Sequence, residues 1–350
     1  MVGCPILRAI APVARCSRRP DTMHNVNDPA AFTHHVIEAN GIAIHYVDEG
    51  AGPLIILLHG FPYTWFEWRH QIIALSQAGF RVVAPDIRGF GESGKPTRIE
   101  DYTLLHSAGD VVALLAALGE PRAVLIGHDL GAWVAAYAAR LRPDLFPALA
   151  LVSTVVGPRE AQRPSAGWAA LHERFGGKFY HHYFQEPGLA EGQLDADITK
   201  SLRSIHHAIS GDAQGAQRWR LFVMPGETVL DTMPDPGATP RWLGDEAFAE
   251  YVRQYSKGGF VAPLAHYRCR DLNWDLTAAW TGQPVTQPCL FIGGAADPAL
   301  QIMQPLYDAM EQFYTGLVSK TLLEGVGHGA PEESPRAVSE ALIRFCSDCG

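Results

Sequence analysis

The stretch AVLIGHDLGAW, residues 123–133, decides the fold. An apolar run ends there in Gly-His-Asp-Leu-Gly, and the chain continues as AWVAAYAARL, which has the composition of a helix. A strand, a sharp turn flanked by glycines and a helix form the usual support for an exposed nucleophile, most often a serine. The residue at this turn is Asp129. The stretch therefore predicts an α/β fold that carries a carboxylate at the position of the nucleophile.

Asp129 has a second interpretation, because aspartate is also favoured as the residue that caps the N-terminus of a helix. A cap needs no glycine on either side. Gly127 and Gly131 instead suit a strained turn with close packing on both sides. The glycines and the strand–helix context together favour a nucleophile over a cap.

Apolar runs alternate with amphipathic segments on both sides of this turn. The predicted buried strands are PLIILLHG, RVVAPDIRG, AVLIGHD, PALALVST and QPCLFIGGAAD, and the predicted helices include WFEWRHQIIALSQAG and LLHSAGDVVALLAALG. The segment HHVIEANGIAIHYVDEG predicts two strands joined by a hairpin at Asn40-Gly41. Buried strands that alternate with helices indicate a mainly parallel sheet with helices on both faces.

The alternation stops near Pro158 and resumes after Gly282. Aromatic residues, histidines and helical segments such as DEAFAEYVRQYSKGG fill the interval. We predict an inserted, mostly helical cap over the carboxyl edge of the sheet, where ligands bind in open α/β folds. The predicted organisation is a disordered N-terminal extension over 1–30, an α/β core over 31–157 and 283–350, and a cap over 158–282.

Composition and charge exclude several function classes. The chain has 28 lysines and arginines against 37 aspartates and glutamates, so it lacks the basic surface that nucleic-acid binding needs. No apolar run approaches the length of a membrane span. Only Cys346 and Cys349, of six cysteines, form a C-x-x-C motif, and we expect reduced cysteines and a cytoplasmic location. Residues 1–22 are interpreted as disordered or as preceding a true start at Met23, with a targeting segment as the alternative.

A base, an acid and an oxyanion site are expected around the nucleophile. LLEGVGHGAPEESP places His328 in a glycine-rich loop, and Asp297 directly follows a predicted strand, so the chain order is nucleophile, acid, histidine. Asp297 also suits an ordinary turn, because Pro298 follows it. The backbone amides of Phe61, after the first buried strand, and of Leu130 are predicted to hold an oxyanion.

A carboxylate nucleophile suits attack on an sp³ carbon. The product is an alkyl ester, which water cleaves at its own carbonyl, whereas a serine would form an ether that histidine-activated water does not readily cleave. The turn therefore indicates an epoxide or an alkyl halide as the substrate. The histidine pairs, such as His34-His35, lack the spacing of a metal site, and we expect neither a metal nor a cofactor.

Four segments resemble the soluble epoxide hydrolase family of the α/β-hydrolase fold. They are HGFPYTWFEWRHQIIALSQAGFRVVAPDIRGFGES at 59–93, GHDLGAW at 127–133, FYHHYFQEPGLAE at 179–191 and GGFVAPLAHYR at 258–268. The likeness covers residues 35–345. It implies an enzyme that adds water to a small apolar epoxide, and it leaves a homo-oligomeric assembly open.

The resemblance also implies that two cap tyrosines lie over the nucleophile and hydrogen-bond the epoxide oxygen. They correspond to Tyr180 and Tyr267, with Tyr183 as a competitor for the first role. Packing of the cap on the core is the alternative use of such aromatic residues. Three further residues are expected to contact the substrate: Pro62, Trp65 and His128.

Two positions argue against the related haloalkane dehalogenases. Leu130 stands where many epoxide hydrolases and haloalkane dehalogenases carry a tryptophan, which in the dehalogenases binds the leaving halide. Phe61 stands where an asparagine often makes a second halide contact. Epoxide hydrolysis is therefore the first hypothesis and dehalogenation the second. A non-catalytic hydrolase-fold binding protein is the third. A binding protein would not need Asp129, Asp297 and His328 together.

Overall fold

Ten strands and thirteen α-helices make up the part of the chain that the computed structural model describes, residues 25–349. The strands are β1 (His34–Ala39), β2 (Ile42–Gly50), β3 (Leu54–Leu58), β4 (Arg81–Pro85), β5 (Val124–His128), β6 (Leu149–Val152), β7 (Lys178–Phe179), β8 (Phe222–Val223), β9 (Cys289–Gly294) and β10 (Leu317–Leu323). The helices are α1 (Arg69–Gln77), α2 (Leu104–Ala117), α3 (Leu130–Leu141), α4 (Pro164–Phe175), α5 (Tyr180–Tyr183), α6 (Leu189–Asp195), α7 (Ile198–Ala208), α8 (Asp245–Gly258), α9 (Val261–Arg268), α10 (Arg270–Leu276), α11 (Leu300–Asp308), α12 (Ala330–Glu333) and α13 (Pro335–Cys349).

The main sheet has eight strands in the order β1-β2-β4-β3-β5-β6-β9-β10. Strands β1 and β2 form an antiparallel hairpin, with Asn40 and Gly41 at positive φ in its turn, and β2 runs antiparallel to β4. All the other neighbouring pairs of this sheet are parallel. The predicted α/β architecture with a mainly parallel sheet is therefore confirmed.

Helices cover both faces of this sheet, which is why its central strands are apolar throughout. Along β3, Ile55 and Leu57 join the buried cluster that includes α1 and α13, whereas Ile56 and Leu58 join the cluster that includes α2 and α3. Successive side chains of a strand point to opposite faces, so a strand between two helical layers buries every residue. All five residues of β3 and of β5 are buried accordingly.

A long, mostly helical insertion separates two strands that are neighbours in the sheet. Strands β6 and β9 pair directly, with Val152 opposite Ile292, although α4 to α10 and the small antiparallel pair β7–β8 lie between them in the chain. The insertion thus leaves and re-enters the sheet at adjacent strands. This arrangement supports our proposal that residues 158–282 form a cap on a core built from 31–157 and 283–350.

The N-terminal boundary predicted at residue 30 needs correction. Residues 1–24, which include Met23, lie outside the described part of the chain. Pro29–Ala31 form a 3₁₀-helix capped by the carboxylate of Asp28, and the Arg69 Nε–H donates to Asn27 Oδ1 at 3.1 Å. These contacts attach residues 27–31 to the core, so the extension predicted as disordered does not reach residue 30.

The cysteines of the described chain are free thiols. Cys269, Cys289 and Cys346 are buried, and Cys349 of the C-x-x-C motif makes no disulfide with Cys346. Within residues 25–349, no helix combines the length and the apolar character that crossing a membrane requires.

Candidate active site

Asp129 occupies a strained turn between β5 and α3. Its φ of 48° and ψ of −113° are unusual for a residue with a side chain, and its carboxylate makes no capping hydrogen bond to α3. A Cβ added to Gly127 would lie 2.2 Å from the carbonyl oxygen of Gly131, and one added to Gly131 would lie 2.0 Å from that of Leu58. Only glycine fits at both positions. The turn is therefore built as the sequence predicted, and the carboxylate is not used as a helix cap.

The carboxylate of Asp129 has two partners. The Phe61 N–H donates to Oδ1 at 3.0 Å, and His328 Nε2 lies 3.4 Å from Oδ2. Burial alone raises the pKa of Asp129, but the hydrogen bond and charge of His328, together with the Phe61 amide, bring this pKa below its ordinary value. Asp129 is therefore ionised and ready to act as a nucleophile.

His328 and Asp297 complete a chain of side chains that begins at Asp129. His328 lies in the loop after β10, and its Nδ1 is 2.7 Å from Oδ2 of Asp297, which follows β9. The other oxygen, Oδ1, accepts from the Ala299 N–H at 2.8 Å and so fixes the orientation of the carboxylate. Burial would lower the pKa of His328, but the charges of Asp297 and Asp129 hold it well above its ordinary value. The three predicted residues thus lie in line, with His328 between the carboxylates of Asp297 and Asp129.

The predicted oxyanion amides lie beside the same carboxylate. The Phe61 amide already holds Oδ1 of Asp129. Leu130 is the first residue of α3, and the first amides of a helix have no partner within it. The part that Leu130 would play in binding an oxyanion stays a prediction.

Tyr180 and Tyr267 face each other from the cap. Tyr180 begins α5, Tyr267 lies in α9, and their ring centroids are 6.2 Å apart. Within the described residues neither hydroxyl makes a hydrogen bond, although both side chains line the cavity that Asp129 enters. Burial and the charge of Asp129 raise the pKa of both phenols, so both keep their protons. The phenols are therefore free to donate to a ligand above the nucleophile.

The cavity has a volume of about 490 Å³, which falls within the range of small-molecule sites. Its walls are mainly apolar and aromatic, and include Phe61, Leu130, Trp133 and Trp168. Asp129, His328 and the two tyrosines supply polar groups at one place in it, and Arg159, Glu160 and Arg270 also line it. Such a site takes a largely apolar molecule and positions one polar group of it.

The chain is similar to several known proteins that are named epoxide hydrolases. A family model described as the alpha/beta hydrolase fold matches residues 53–220. Epoxide hydrolase A of Mycobacterium tuberculosis is 36% identical over 321 residues, which cover 90% of this chain and 97% of that protein. The chain belongs to the epoxide hydrolase family. Epoxide hydrolase 3 of Siraitia grosvenorii is 38% identical over 264 residues, covering 75% of this chain and 81% of that protein.

Solved structures of epoxide hydrolases superpose on about nine-tenths of this chain. An epoxide hydrolase from an endophytic Streptomyces has a TM-score of 0.87 at 38% identity, covering 90% of this chain and 95% of the other. Epoxide hydrolase A from Mycobacterium thermoresistibile has a TM-score of 0.86 at 37% identity, covering 91% and 99%. The α/β-hydrolase fold and the family resemblance inferred from the sequence are both confirmed.

Three predicted substrate contacts do not lie in the cavity of this epoxide hydrolase. The chain turns into the core after Phe61, so Pro62 is buried. Trp65 has no exposed surface, and its ring packs edge-on against Phe32 and Phe66. His128 is also buried, because the side chain before the nucleophile points beneath the turn, where its Nδ1 meets Glu67. Pro62, Trp65 and His128 therefore support the site from behind, and their prediction as substrate contacts is wrong.

Tyr183 is not an alternative to Tyr180. Its hydroxyl exchanges hydrogen bonds with the side chain of Gln193, at 2.8 and 3.2 Å, and it does not line the cavity. The two tyrosines are three residues apart in α5, and the sequence alone did not distinguish them.

The cavity residues that the sequence did not predict include His181 and Arg270. His181 follows Tyr180, and its ring centroid lies 5.1 Å from that of Tyr267. Burial and the charge of Arg270 hold the pKa of His181 well below its ordinary value, so the ring is neutral. Arg270 lies over the ring of Trp133, 4.4 Å from its centroid. The position of Arg270, three residues after Tyr267, was the signal that could have identified it. Within residues 25–349, no three histidine, cysteine or acidic side chains are grouped to hold a metal.

Proposed function

We propose that this protein hydrolyses an apolar epoxide to a vicinal diol through an ester on Asp129. The observation that carries the proposal is an ionised carboxylate at the turn between β5 and α3, held by the Phe61 amide and His328. It lies in one cavity with two phenols that have no hydrogen-bond partner within residues 25–349. The names of its relatives support the same reaction. A cytoplasmic location is part of the proposal, supported by the four cysteines of residues 25–349, which are all free thiols.

Ring opening is the first step. Oδ2 of Asp129 attacks an epoxide carbon, the bond from that carbon to the ring oxygen breaks, and the electron pair goes to the oxygen. Tyr180 and Tyr267 bind that oxygen, and one of them gives it a proton. Oδ1 remains on the Phe61 amide and becomes the carbonyl oxygen of the ester.

Ester hydrolysis is the second step. His328 takes a proton from water, the hydroxide adds to the carbonyl carbon of the ester, and negative charge gathers on Oδ1 at the Phe61 amide. The bond from that carbon to Oδ2 then breaks, and the diol leaves with Oδ2 and a proton from His328. The new carboxyl group of Asp129 gives its proton to His328, which restores the carboxylate. Ester formation removes one of the two negative charges that raise the pKa of His328, so this pKa falls and the histidine gives up its proton, while the tyrosinate left by ring opening regains one. The neutral ring can then take a proton from water.

Two assays in parallel test the proposal. An aryl epoxide such as styrene oxide should be converted to its diol, and a 1-chloroalkane should release no chloride, since the side chains of Leu130 and Phe61 offer a halide no N–H donor. Chloride release without diol formation would establish dehalogenation instead. No turnover of any member of an epoxide panel, with tight binding of those epoxides, would favour a binding protein.

The two phenols should share the first step. Tyr180→Phe or Tyr267→Phe should slow ring opening about tenfold, because one donor remains, and the double variant should slow it about 10³-fold. Single-turnover mixing with rapid quench measures this rate. Tyr183→Phe is the matched control, since its hydroxyl bonds Gln193 outside the cavity. Wild-type ring opening in the double variant would contradict this role.

The pH dependence of kcat should have an acid limb. Hydrolysis needs neutral His328, so kcat should fall as the pH decreases through the pKa of this histidine in the ester-bearing enzyme. Asp297→Asn removes a charge that raises the pKa of His328, and the limb should move to lower pH. The steady-state pH profile measures both. A limb that moves to higher pH in this variant would contradict the assignment of the base.

A further inference from the structure

A buried carboxylate lies beneath the active site and makes no contact with the cavity. Glu67 belongs to the 3₁₀-helix Trp65–Trp68, and none of its surface is exposed. Its Oε1 accepts from the Gly60 N–H at 3.2 Å, and its Oε2 lies 2.9 Å from His128 Nδ1. The mechanism above uses neither Glu67 nor His128.

His128 extends this contact to the loop of the base. Its ring is fully buried, and its Nε2–H donates to the carbonyl oxygen of His328 at 2.9 Å. A carbonyl only accepts, so Nε2 must carry a proton. One further proton lies between His128 Nδ1 and Glu67 Oε2, which leaves the pair without net charge whichever atom holds it. The hydrogen bonds are thus all satisfied by a neutral pair.

Glu67 therefore touches two of the three segments that supply the chemistry and reaches the third through His128. The first segment contains Gly60, which precedes Phe61, whose amide holds Asp129. The second contains His128, which precedes Asp129. The third contains His328, whose carbonyl oxygen accepts from His128. We infer that Glu67, acting through His128, is a positioning residue that sets His328 and the Phe61 amide relative to Asp129. A misplacement of about 1 Å costs on the order of 10²-fold in rate.

The inference deepens the proposed function, and two conservative substitutions test it. Glu67→Gln keeps the reach of the side chain: its carbonyl accepts from Gly60, and its NH₂ donates to His128 Nδ1. Glu67→Asp keeps the carboxylate but is one methylene shorter, so it does not span Gly60 and His128. If the length of the Glu67 side chain positions the site, the Glu67→Gln variant should stay active and the Glu67→Asp variant should lose activity. If the negative charge of Glu67 is required, the two variants should behave the other way round.

The rate constant for hydrolysis of the alkyl-enzyme, measured in single turnovers, separates these outcomes. We expect Glu67→Asp to lower it ten- to a hundredfold and Glu67→Gln to keep it within about threefold. In Glu67→Asp, kcat and KM should fall together, because only the second step slows, whereas general loosening would lower kcat/KM. Glu173→Asp, at an exposed glutamate of the cap, is the matched control. Equal losses in both variants, the reverse order, or no loss in Glu67→Asp would overturn the inference.

A readout without substrate keeps the inference separate from the proposed function. In protein labelled with ¹⁵N-histidine, the ring signals of His328 should move in Glu67→Asp and stay in place in Glu67→Gln. Unmoved signals in Glu67→Asp would overturn the positioning role, even in an active enzyme. Failure of the wild-type enzyme to hydrolyse any epoxide would refute the proposed function alone.

Discussion

Replacing His328 with glutamine should arrest the enzyme as the ester on Asp129. Ring opening uses the carboxylate and the two phenols and does not need a base, so the first step continues. Hydrolysis loses the group that takes the proton from water, and its rate should fall about 10³- to 10⁴-fold. The alkyl-enzyme should then accumulate to one equivalent per active site.

Intact-protein mass spectrometry under excess epoxide measures this adduct, and digestion locates it on the peptide that carries Asp129. His207→Gln is the matched control, because this histidine lies on α7 and its side chain bonds only Gln217 within the described chain. The control should turn over normally and show no adduct. An unmodified mass for His328→Gln, in a protein that still binds the epoxide, would contradict the covalent scheme.

Replacing Asp129 with alanine should abolish turnover. The variant has no atom that bonds to the epoxide carbon, and removal of a nucleophile costs on the order of 10⁴-fold or more in kcat. His328 keeps its hydrogen bond to Asp297, so the base remains oriented while the first step is lost. Diol formation, followed by chromatography, should fall to the uncatalysed rate. Asp144→Ala, at an exposed aspartate of the core, is the control, and this variant should form the diol at the wild-type rate.

Heavy-oxygen water gives the same assignment an atom-level test. In a single turnover the diol leaves with an oxygen of Asp129, and water replaces that oxygen in the carboxylate. The peptide that contains Asp129 should therefore gain two mass units, and the first diol released should contain none of the label. Label in the first diol and none in the peptide would mean that water attacks the epoxide directly.

The sequence was informative where function depends on local geometry. Only glycine fits at positions 127 and 131, on either side of the turn that carries Asp129. The turn can therefore be recognised from the sequence motif. Asp297 and His328 were identified because each follows a strand of a parallel sheet, and the carboxyl ends of such strands meet at one edge. These inferences need only the order of elements, which hydrophobic patterning indicates well.

The sequence was less informative where tertiary packing decides which way a side chain points. Trp65 and His128 adjoin the catalytic motifs, yet a 3₁₀-helix and the pleat of β5 turn both away from the cavity. Tyr180 and Tyr183 share one turn of helix, and only the contact with Gln193 separates them. Arg270 is indicated in the sequence only by its spacing of three residues from Tyr267, and its place depends on the ring of Trp133, far away in the chain.

The adjacency of β6 and β9 has an evolutionary consequence. Because the inserted segment begins and ends one strand apart, its length can change without moving any strand of the sheet. Asp129, Asp297 and His328 belong to the sheet platform, whereas Tyr180, Tyr267 and much of the cavity wall belong to the inserted segment. New substrate preferences are therefore accessible through indels and substitutions in that segment, provided that the two tyrosines keep their places above the nucleophile.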